Sequence, residues 1–300
     1  MKRKVIRQGN QAYTLTLPIE WVRRNRISEA SELDVSDAGK SLLINSSGIP
    51  DGGSVTLHAD GWNERNINAH LAALYAKGAD EVIFISKRDI SSELIKNGGA
   101  MIGFALVEQD HERYVIRDVS GGNYPHLDEI FKRVFQIILL FYEAAAQDIF
   151  GKQQEKLETL KARDVEVNKF CLYLQRAINK MSYADAINGR ILFTYSYALE
   201  KISDEVERAW RTNIKHNVLK TKALRELVEL SKEVLEQAFD FYYRPMTSGL
   251  EAIYALRNTV REKSLLIPRL NSATTRFIRH IVKIAEDAAD TSHLALMRKL

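Results

Sequence analysis

The hydrophobic positions in the second half of the chain recur with the three- and four-residue spacing of α-helices almost without interruption. From residue 126 onward, the pattern is broken at five places: near Gly151, near Ser182, after Trp210, near Pro245 and near Pro268. Glycine and proline are typical of helix ends. The sequence therefore predicts about six helices over residues 126–300.

Shorter segments that alternate between strand and helix precede this helical region. Strands are predicted at 55–58, 81–86, 104–107 and 114–119, and helices at 63–77 and 91–97. Gly78 and Gly98 follow the two helices, as glycine often does at helix C-termini. The order βαβαββ predicts a small α/β domain over residues 54–125, and its sequence contains no recognisable active-site motif.

The first 50 residues have the pattern of short strands around one short helix. Strands are predicted at 2–8, 13–17, 33–36 and 41–45, and a helix at 19–25 that Pro18 opens as its first residue. Residues 37–40, Asp-Ala-Gly-Lys, predict a hairpin turn. Residues 46–53 are rich in Ser and Gly, and we interpret them as a linker that follows a domain at 1–50.

Glycine usage changes where the helical pattern begins, because twelve of the fifteen glycines precede residue 126. A chain of 300 residues is long enough for two or three domains, each with its own hydrophobic core. The sequence therefore predicts a multidomain, mainly α protein with domains at 1–50, 54–125 and 126–300.

Three features predict a cytoplasmic protein. The only cysteine, Cys171, cannot form an internal disulfide, which favours a reducing compartment. The basic start of the chain lacks the apolar stretch of a secretory signal. The most apolar run, residues 134–142, has about half the length of a membrane-spanning helix, so no membrane insertion is expected.

Two segments of the predicted helical region repeat each other at a distance of 86 residues. Three polar residues recur under this offset: Arg190 as Arg276, Glu200 as Glu286, and Asp204 as Asp290. Apolar residues also match, for example at 191–192 and 277–278. Two similar three-helix repeats in tandem would account for the six helices.

The repeated carboxylates stand four residues apart, so each pair lies on one helix face. One turn further on, that face carries Glu207 in the first copy and His293 in the second. Like charges at this spacing destabilise a helix, and a bound cation would reverse the effect. Oxygen ligands suit Mg²⁺, Ca²⁺ or Mn²⁺, and His293 would admit iron or zinc. A solvated acidic face is the alternative, with about equal weight.

The repeated segments also carry a family resemblance. Residues 199–204, Leu-Glu-Lys-Ile-Ser-Asp, resemble the Leu-Glu-Arg-Ile-Gly-Asp signature of the PhoU family of phosphate-uptake regulators, and residues 285–290 occupy the same place in the second repeat. The resemblance covers roughly residues 126–300. It implies tandem three-helix bundles that bind metal ions and regulate phosphate transport.

The PhoU resemblance implies a set of metal ligands. The family carries acidic residues on the preceding helix as well, and Asp164 and Asn168 are the nearest match in the first repeat, whereas the second repeat has no clean counterpart. The implied ion is divalent or trivalent: Fe, Zn, Mn or Mg. The candidate ligands are Glu200, Asp204, Glu286 and Asp290, with Asp164, Asn168, Glu207 and His293 as weaker candidates.

A second resemblance rests on residues of the first 50. These are Gly9, the Thr-Leu-Thr-Leu-Pro run at 14–18, Glu20-Trp21 and the Glu-Leu-Asp-Val run at 32–35. They are similar to the AbrB/SpoVT/MazE-type swapped-hairpin DNA-binding domain, although Ala30-Ser31 stands where that family has Gly-Asp. The resemblance implies a swapped-hairpin β domain that folds as an intertwined homodimer. The combination with a PhoU-like region resembles archaeal PhoU-like proteins.

The distribution of charge agrees with DNA binding. The whole chain has a net charge of +4, whereas residues 1–26 contain seven basic residues and only one acidic residue, Glu20. Such a cluster can supply the phosphate contacts that dominate DNA affinity. The predicted DNA contacts are Arg7, Arg23 and Arg24, with Lys2, Lys4 and Asn10 as weaker candidates. A solvated basic face, or a patch for an acidic protein, is the alternative.

The sequence thus predicts a regulator of phosphate homeostasis that binds double-stranded DNA as a homodimer. The alternative is a PhoU-type regulator that acts on a phosphate-transporter ATPase without binding DNA. No nucleophile stands at a recognisable spacing from a base, so no enzyme activity is predicted. A metal-dependent enzyme of the di-iron type is a weaker alternative: the ExxH spacing at 108–111 lies on a predicted strand, and the DxxH spacing at 290–293 is single.

Overall fold

The computed structural model of the protein describes residues 2–9, 12–37, 42–46, 53–121, 127–151, 156–180, 186–216, 218–268 and 271–300. The chain divides into two compact units, an N-terminal unit, Met1–Pro50, and a main unit, Asp51–Leu300. The described residues are mainly helical, with small sheets toward the N-terminus, which confirms the predicted fold class at this level. No described helix has both the length and the apolar character that a membrane span requires.

The N-terminal unit contains two antiparallel strand pairs and a short helix. Strand β1 (Ile6–Gln8) pairs with β2 (Ala12–Thr14), and β3 (Leu33–Asp37) pairs with β4 (Leu42–Ser46). Helix α1 (Ile19–Arg24) begins after Pro18, whose ψ of 126° is extended. Pro18 is therefore the N-cap and not the first helical residue that we predicted. Residues 38–40 of the turn predicted at 37–40, and residues 47–52 of the linker predicted at 46–53, lie outside the described residues.

Within one copy of the chain, the described part of the N-terminal unit has no hydrophobic core. None of its residues of described burial is buried. Six large apolar side chains are more than half exposed: Val5, Ile6, Tyr13, Ile19, Val35 and Leu42. Isolated two-stranded hairpins are at best marginally stable in water, so this unit needs further apolar contacts to be stable.

The main unit begins with a four-stranded sheet and two helices. The strands β5 (Ser54–His58), β6 (Glu81–Ile85), β7 (Phe104–Asp110) and β8 (Arg113–Asp118) have the spatial order β5-β6-β8-β7. Strands β5 and β6 are parallel and connected by α2 (Glu64–Lys77), and the other pairs are antiparallel. Helix α2 starts where the Asn63 side chain accepts a hydrogen bond from the Asn66 N–H, and it ends at Gly78 with a φ of 103°. Helix α3 (Ser91–Gly99) precedes β7.

Six long helices make up the described part of the chain after residue 126. They are α4 (Leu127–Phe150), α5 (Leu157–Lys180), α6 (Ala186–Lys215), α7 (Lys222–Tyr243), α8 (Thr247–Leu266) and α9 (Ser272–Lys299). Helix α6 continues to Lys215, past the end that we predicted after Trp210. Trp210 is a fully buried core residue whose indole N–H donates to Asp148, and the next turn also packs on the core, since Thr212 is buried. The predicted break at Ser182 lies outside the described residues.

The long helices contact one another in two groups of three. Helices α4, α5 and α6, here the first repeat, pack together, and so do α7, α8 and α9, the second repeat. The repeats meet where α6 packs against α9 and α4 against α7. The apolar positions of the repeated segments are buried, and some of them, such as Leu199 and Ala285, are completely inaccessible to solvent. The equivalent helices α6 and α9 therefore lie side by side.

Helix α5 connects the six long helices to the four-stranded sheet and its two helices, here the α/β layer, through a buried arginine. Arg176 donates to the backbone oxygens of Tyr75 and Ala79, at 3.1 and 2.7 Å, and to Asp118 Oδ2 at 2.6 Å. One turn further on, Lys180 Nζ lies 2.7 Å from Asp80 Oδ1. These contacts place the predicted domains at 54–125 and 126–300 in the same compact unit.

Candidate functional site

The basic residues predicted to contact DNA are exposed on the N-terminal unit. Arg23 and Arg24 form the last turn of α1, and Arg7 lies on β1 opposite Tyr13. Lys2 and Lys4 are exposed in the segment before β1. Asn10, the remaining candidate, lies outside the described residues. Five of the six predicted contacts are thus accessible to a ligand from solvent.

Predicted metal ligands of the first repeat face one another between α5 and α6. Asp164 and Asn168 come from α5, and Glu200, Asp204 and Glu207 from α6. We call these five residues the acidic cluster. The four-residue spacing of the sequence produces this arrangement, because residues four apart lie on one helix face and α5 packs against α6.

Burial and mutual repulsion perturb the carboxyl groups of the acidic cluster. Burial raises the pKa of Asp164 to about 6, with further contributions from Asp204, Glu207 and Glu200. Burial also raises the pKa of Glu200 and of Glu207. Desolvation and neighbouring negative charge both disfavour an ionised carboxylate. The cluster therefore concentrates negative charge that its own residues do not compensate.

Two oxygen atoms of the acidic cluster are buried without a hydrogen-bond donor among the described residues. These atoms are Asp164 Oδ1 and Asn168 Oδ1. The two side chains share one hydrogen bond, in which Asn168 Nδ2 donates to Asp164 Oδ2 at 3.2 Å. A buried acceptor without a donor is unfavourable, and a cation bound at this place would remove the cost.

Three cations beside the acidic cluster were not among the predicted site residues. Lys201 Nζ lies 3.1 Å from Asp204 Oδ2, Arg208 Nη2 lies 3.1 Å from the same atom, and Arg211 Nη2 lies 3.0 Å from Glu207 Oε2. Two of these pairs have the i,i+4 spacing and one has the i,i+3 spacing, so these ion pairs could have been predicted from the sequence. The α6 carboxylates are therefore partly neutralised by their own helix.

The second repeat does not reproduce the acidic cluster in its described residues. Arg261 of α8 binds Glu286, with 2.6 Å between Nε and Oε1, and Asp290 and His293 are exposed. Arg261 belongs to α8, the helix that corresponds to α5, so the side chain that α8 brings to Glu286 is a cation and not an acidic residue. Glu286, Asp290 and His293 thus do not meet as one set of ligands.

As they stand, no three His, Cys, Asp or Glu side chains of the described residues are arranged to hold a metal ion. The chain matches no protein-family model, no curated protein and no solved structure. The resemblances to the PhoU and AbrB-type families therefore rest on the quoted residues alone.

We expect Asp164→Asn to stabilise the protein at pH 7.5 in the presence of EDTA, by roughly 1–2 kcal/mol. The raised pKa means that between pH 3.8 and about 6 the folded protein holds a proton that the unfolded chain has released. The stability of the parent protein therefore decreases as pH rises through this range, and the variant lacks this loss. Urea unfolding at pH 4.5 and 7.5 measures the difference.

Glu166→Gln is the matched control for Asp164→Asn. Glu166 lies on the same helix, is 47 % exposed and pairs with Arg133 at 3.3 Å, so its replacement removes the same charge from the surface. Surface pairs of this kind contribute little, and we expect no gain in stability. An equal change of the free energy of unfolding in both variants would contradict the view that the buried carboxylate of Asp164 destabilises the protein.

Proposed function

We propose that this protein is a homodimeric DNA-binding regulator of phosphate uptake. The N-terminal unit binds double-stranded DNA, and the six-helix part transmits phosphate status to it. The observation that carries the proposal is the surface of the N-terminal unit, where Arg7, Arg23 and Arg24 are exposed beside apolar side chains that one copy leaves uncovered. The phosphate role is supported by the PhoU-like segments of α6 and α9.

Electrostatics supports DNA as the partner of the N-terminal unit. Residues 1–26 carry seven basic residues against Glu20, although the chain as a whole has a net charge of only +4. Positive charge in the rest of the chain is balanced, so the attraction for a polyanion is concentrated here. A homodimer doubles the number of cations that face the phosphates, which steepens the dependence of affinity on salt.

The test is a variant that carries Arg7→Ala, Arg23→Ala and Arg24→Ala together. We expect its affinity for promoter DNA to fall at least about tenfold, and the slope of log K against log salt to decrease by as much as about five in a dimer. Fluorescence anisotropy measures both quantities, with DNA from upstream of the protein's own gene and of phosphate-transporter genes.

The control for this experiment removes three exposed cations of the main unit: Arg65→Ala, Lys77→Ala and Arg279→Ala. Its net charge equals that of the test variant. If DNA binds specifically to the N-terminal unit, the control should keep the DNA affinity of the parent protein. If the parent protein does not distinguish promoter DNA from unrelated DNA, the transcriptional role is wrong. If phosphate control in cells is unchanged by the test variant, the ATPase-directed alternative is favoured.

The same proposal assigns a divalent cation to the acidic cluster. Asp164 Oδ1 and Asn168 Oδ1 are the buried acceptors that such an ion would satisfy, and oxygen ligands suit Mg²⁺ or Mn²⁺. Glu200 and Asp204 complete the set once Lys201 releases both and Arg208 releases Asp204, and the bound ion would neutralise the repulsion between the carboxylates. The face of Glu286, Asp290 and His293 is not part of this site, since Arg261 already binds Glu286.

Manganese binding is tested on the variant already described. Millimolar MnCl₂ should raise the melting temperature of the parent protein and leave that of Asp164→Asn unchanged, because binding to the folded state alone stabilises it. Elemental analysis of the purified protein and of Glu200→Ala should show a metal that only the parent retains. An identical response of both proteins to manganese would remove the cation from the proposal.

A further inference from the structure

A basic cavity lies between the C-terminal half of α6 and the N-terminal half of α9. Its volume is about 440 Å³. Six of the seven described residues that line it can carry positive charge: Arg208, Arg211, Lys215, His216, Arg276 and His280. The seventh is Thr212, and no carboxylate is among the described lining residues.

The positive charge of the basic cavity exceeds what its neighbours neutralise. Arg211 pairs with Glu207 at 3.0 Å, and Glu205 Oε2 lies 2.6 Å from His280 Nδ1. Arg208 is held by Glu205 and by Asp204. Lys215 and Arg276 have no ion pair among the described residues. The positive charges of these two side chains therefore have no neutralising partner among the described residues of the cavity.

The helices themselves produce this concentration of charge. Residues 208, 211, 212 and 215 lie on one face of α6, and residues 276 and 280 lie on the facing side of α9, since each set has the three- and four-residue spacing. Like charges so arranged repel one another along each helix and across the gap. A bound anion converts this repulsion into attraction.

The lining also indicates the chemical class of the anion. Arginine offers a planar fork of donors that matches the oxygens of phosphate, and lysine supplies a point charge. The described lining contains no aromatic side chain other than imidazole and no aliphatic side chain, so its side chains offer mainly charged groups as recognition elements. The volume lies in the range of small-molecule sites.

We propose that the basic cavity binds a small phosphate polyanion, with Lys215 and Arg276 as its principal charge partners and Arg208 and Arg211 as further donors. This inference deepens the proposed phosphate role of the six-helix part, on which its biological meaning rests. Binding of the anion can nevertheless be measured without DNA, and DNA binding without the anion.

Isothermal titration of the full-length protein with pyrophosphate tests the inference, with orthophosphate and ADP titrated in parallel at about 0.15 M salt. We expect saturable binding of pyrophosphate. Loss of two charge-assisted contacts in Lys215→Ala/Arg276→Ala should weaken it at least about tenfold. Both residues are exposed, so the variant should keep its fold, which circular dichroism verifies.

Arg190→Ala/Arg279→Ala is the matched control. It removes two exposed cations from the same two helices, outside the cavity lining, and leaves the net charge equal to that of the test variant. We expect its affinity for pyrophosphate to equal that of the parent protein. Tighter binding of ADP than of pyrophosphate would identify a nucleotide as the source of the phosphate groups.

Three results would overturn the inference. The first is no saturable binding of any phosphate compound by the parent protein, and the second is an equal loss in both double variants, which indicates non-specific attraction. The third is a loss of DNA affinity in Lys215→Ala/Arg276→Ala with no change in pyrophosphate binding, which makes the cavity part of a nucleic-acid surface. Pyrophosphate binding without DNA binding would instead contradict only the transcriptional role.

Discussion

Replacement of Arg176 by leucine should lower the free energy of unfolding by about 3–5 kcal/mol. The side chain is only 1 % exposed, and Asp118, whose carboxylate lies 2.6 Å from it, is 7 % exposed. Without the guanidinium, that carboxylate remains buried without a counter-charge, and the backbone oxygens of Tyr75 and Ala79 each lose the hydrogen bond from Arg176. The cost of an unpaired buried charge is much larger than the net value of the pair itself.

The aromatic neighbours of Arg176 add to the expected loss. The guanidinium carbon lies 4.9 Å from the centre of the Tyr75 ring and 5.0 Å from that of Phe104. Desolvated cation–π contacts of this kind contribute on the order of 1–2 kcal/mol. Because Tyr75 belongs to α2 and Phe104 to β7, the substitution weakens the attachment of both elements to α5.

The effect of Arg176→Leu should depend on pH in a defined direction. Burial pushes the pKa of Asp118 upward, but hydrogen bonds from Ser120 and Arg176 outweigh it, so its pKa is lowered from 3.8. The stabilisation from this ionised carboxylate is therefore present above pH 3.8 and lost as the pH falls through the lower folded-state value. Urea unfolding of both proteins at pH 7 and near pH 3 should show a smaller difference in acid.

Two comparisons separate this interpretation from a general effect of losing an arginine. Arg117→Leu removes an arginine of the same layer that is 51 % exposed and pairs with Glu81, and it should cost at most about 1 kcal/mol. Arg176→Leu/Asp118→Asn should recover part of the loss, since the unpaired charge is gone. A cost for Arg176→Leu no larger than that for Arg117→Leu would contradict the role assigned to this residue.

Local sequence patterns predicted most of the helices and strands. They did not predict contacts between side chains that are distant in sequence. Gly78 ends α2 as the sequence suggested, and Asn63, which we predicted as the first helical residue, is the N-cap, one position earlier than the helix itself. Arg176, in contrast, stands on an ordinary helical segment and resembles a surface residue. Its burial depends on Asp118 and on backbone oxygens about 100 positions earlier in the chain, and no spacing rule reports such contacts.

In the candidate site too, local spacing predicted part of the arrangement, and contacts between helices could not be predicted. The shared face of Glu200 and Asp204 follows from their spacing on one helix, and the position of Asp164 opposite them was implied only by the PhoU resemblance. The repeat suggested that Glu286 would stand in a similar environment. The structure instead pairs Glu286 with Arg261, which lies 25 residues before it on α8. A repeated motif thus fixes which residues share a helix face but leaves the charge of the neighbouring helix undetermined.

Val35→Asp/Leu42→Asp should convert the proposed homodimer into a monomer of 34.2 kDa, without reducing the stability of the main unit. Val35 is 60 % exposed and Leu42 is 66 % exposed within one chain. Substitutions at exposed positions usually change stability by less than about 0.5 kcal/mol. If the protein were a monomer, these two substitutions should therefore have almost no effect. In a dimer whose core is built from both copies, each aspartate is buried without a partner, and the cost appears twice.

Light scattering coupled to size-exclusion chromatography measures this change in mass on the full-length chain. The control is Ile95→Asp/Val119→Asp, because these apolar residues of the main unit are each 61 % exposed, and it should remain dimeric. A monomeric parent protein would contradict the homodimer. A control that dissociates while Val35→Asp/Leu42→Asp does not would place the interface on the main unit. Because the described part of that unit lacks a core of its own, loss of the dimer should also abolish DNA binding, even though Arg7, Arg23 and Arg24 remain in place.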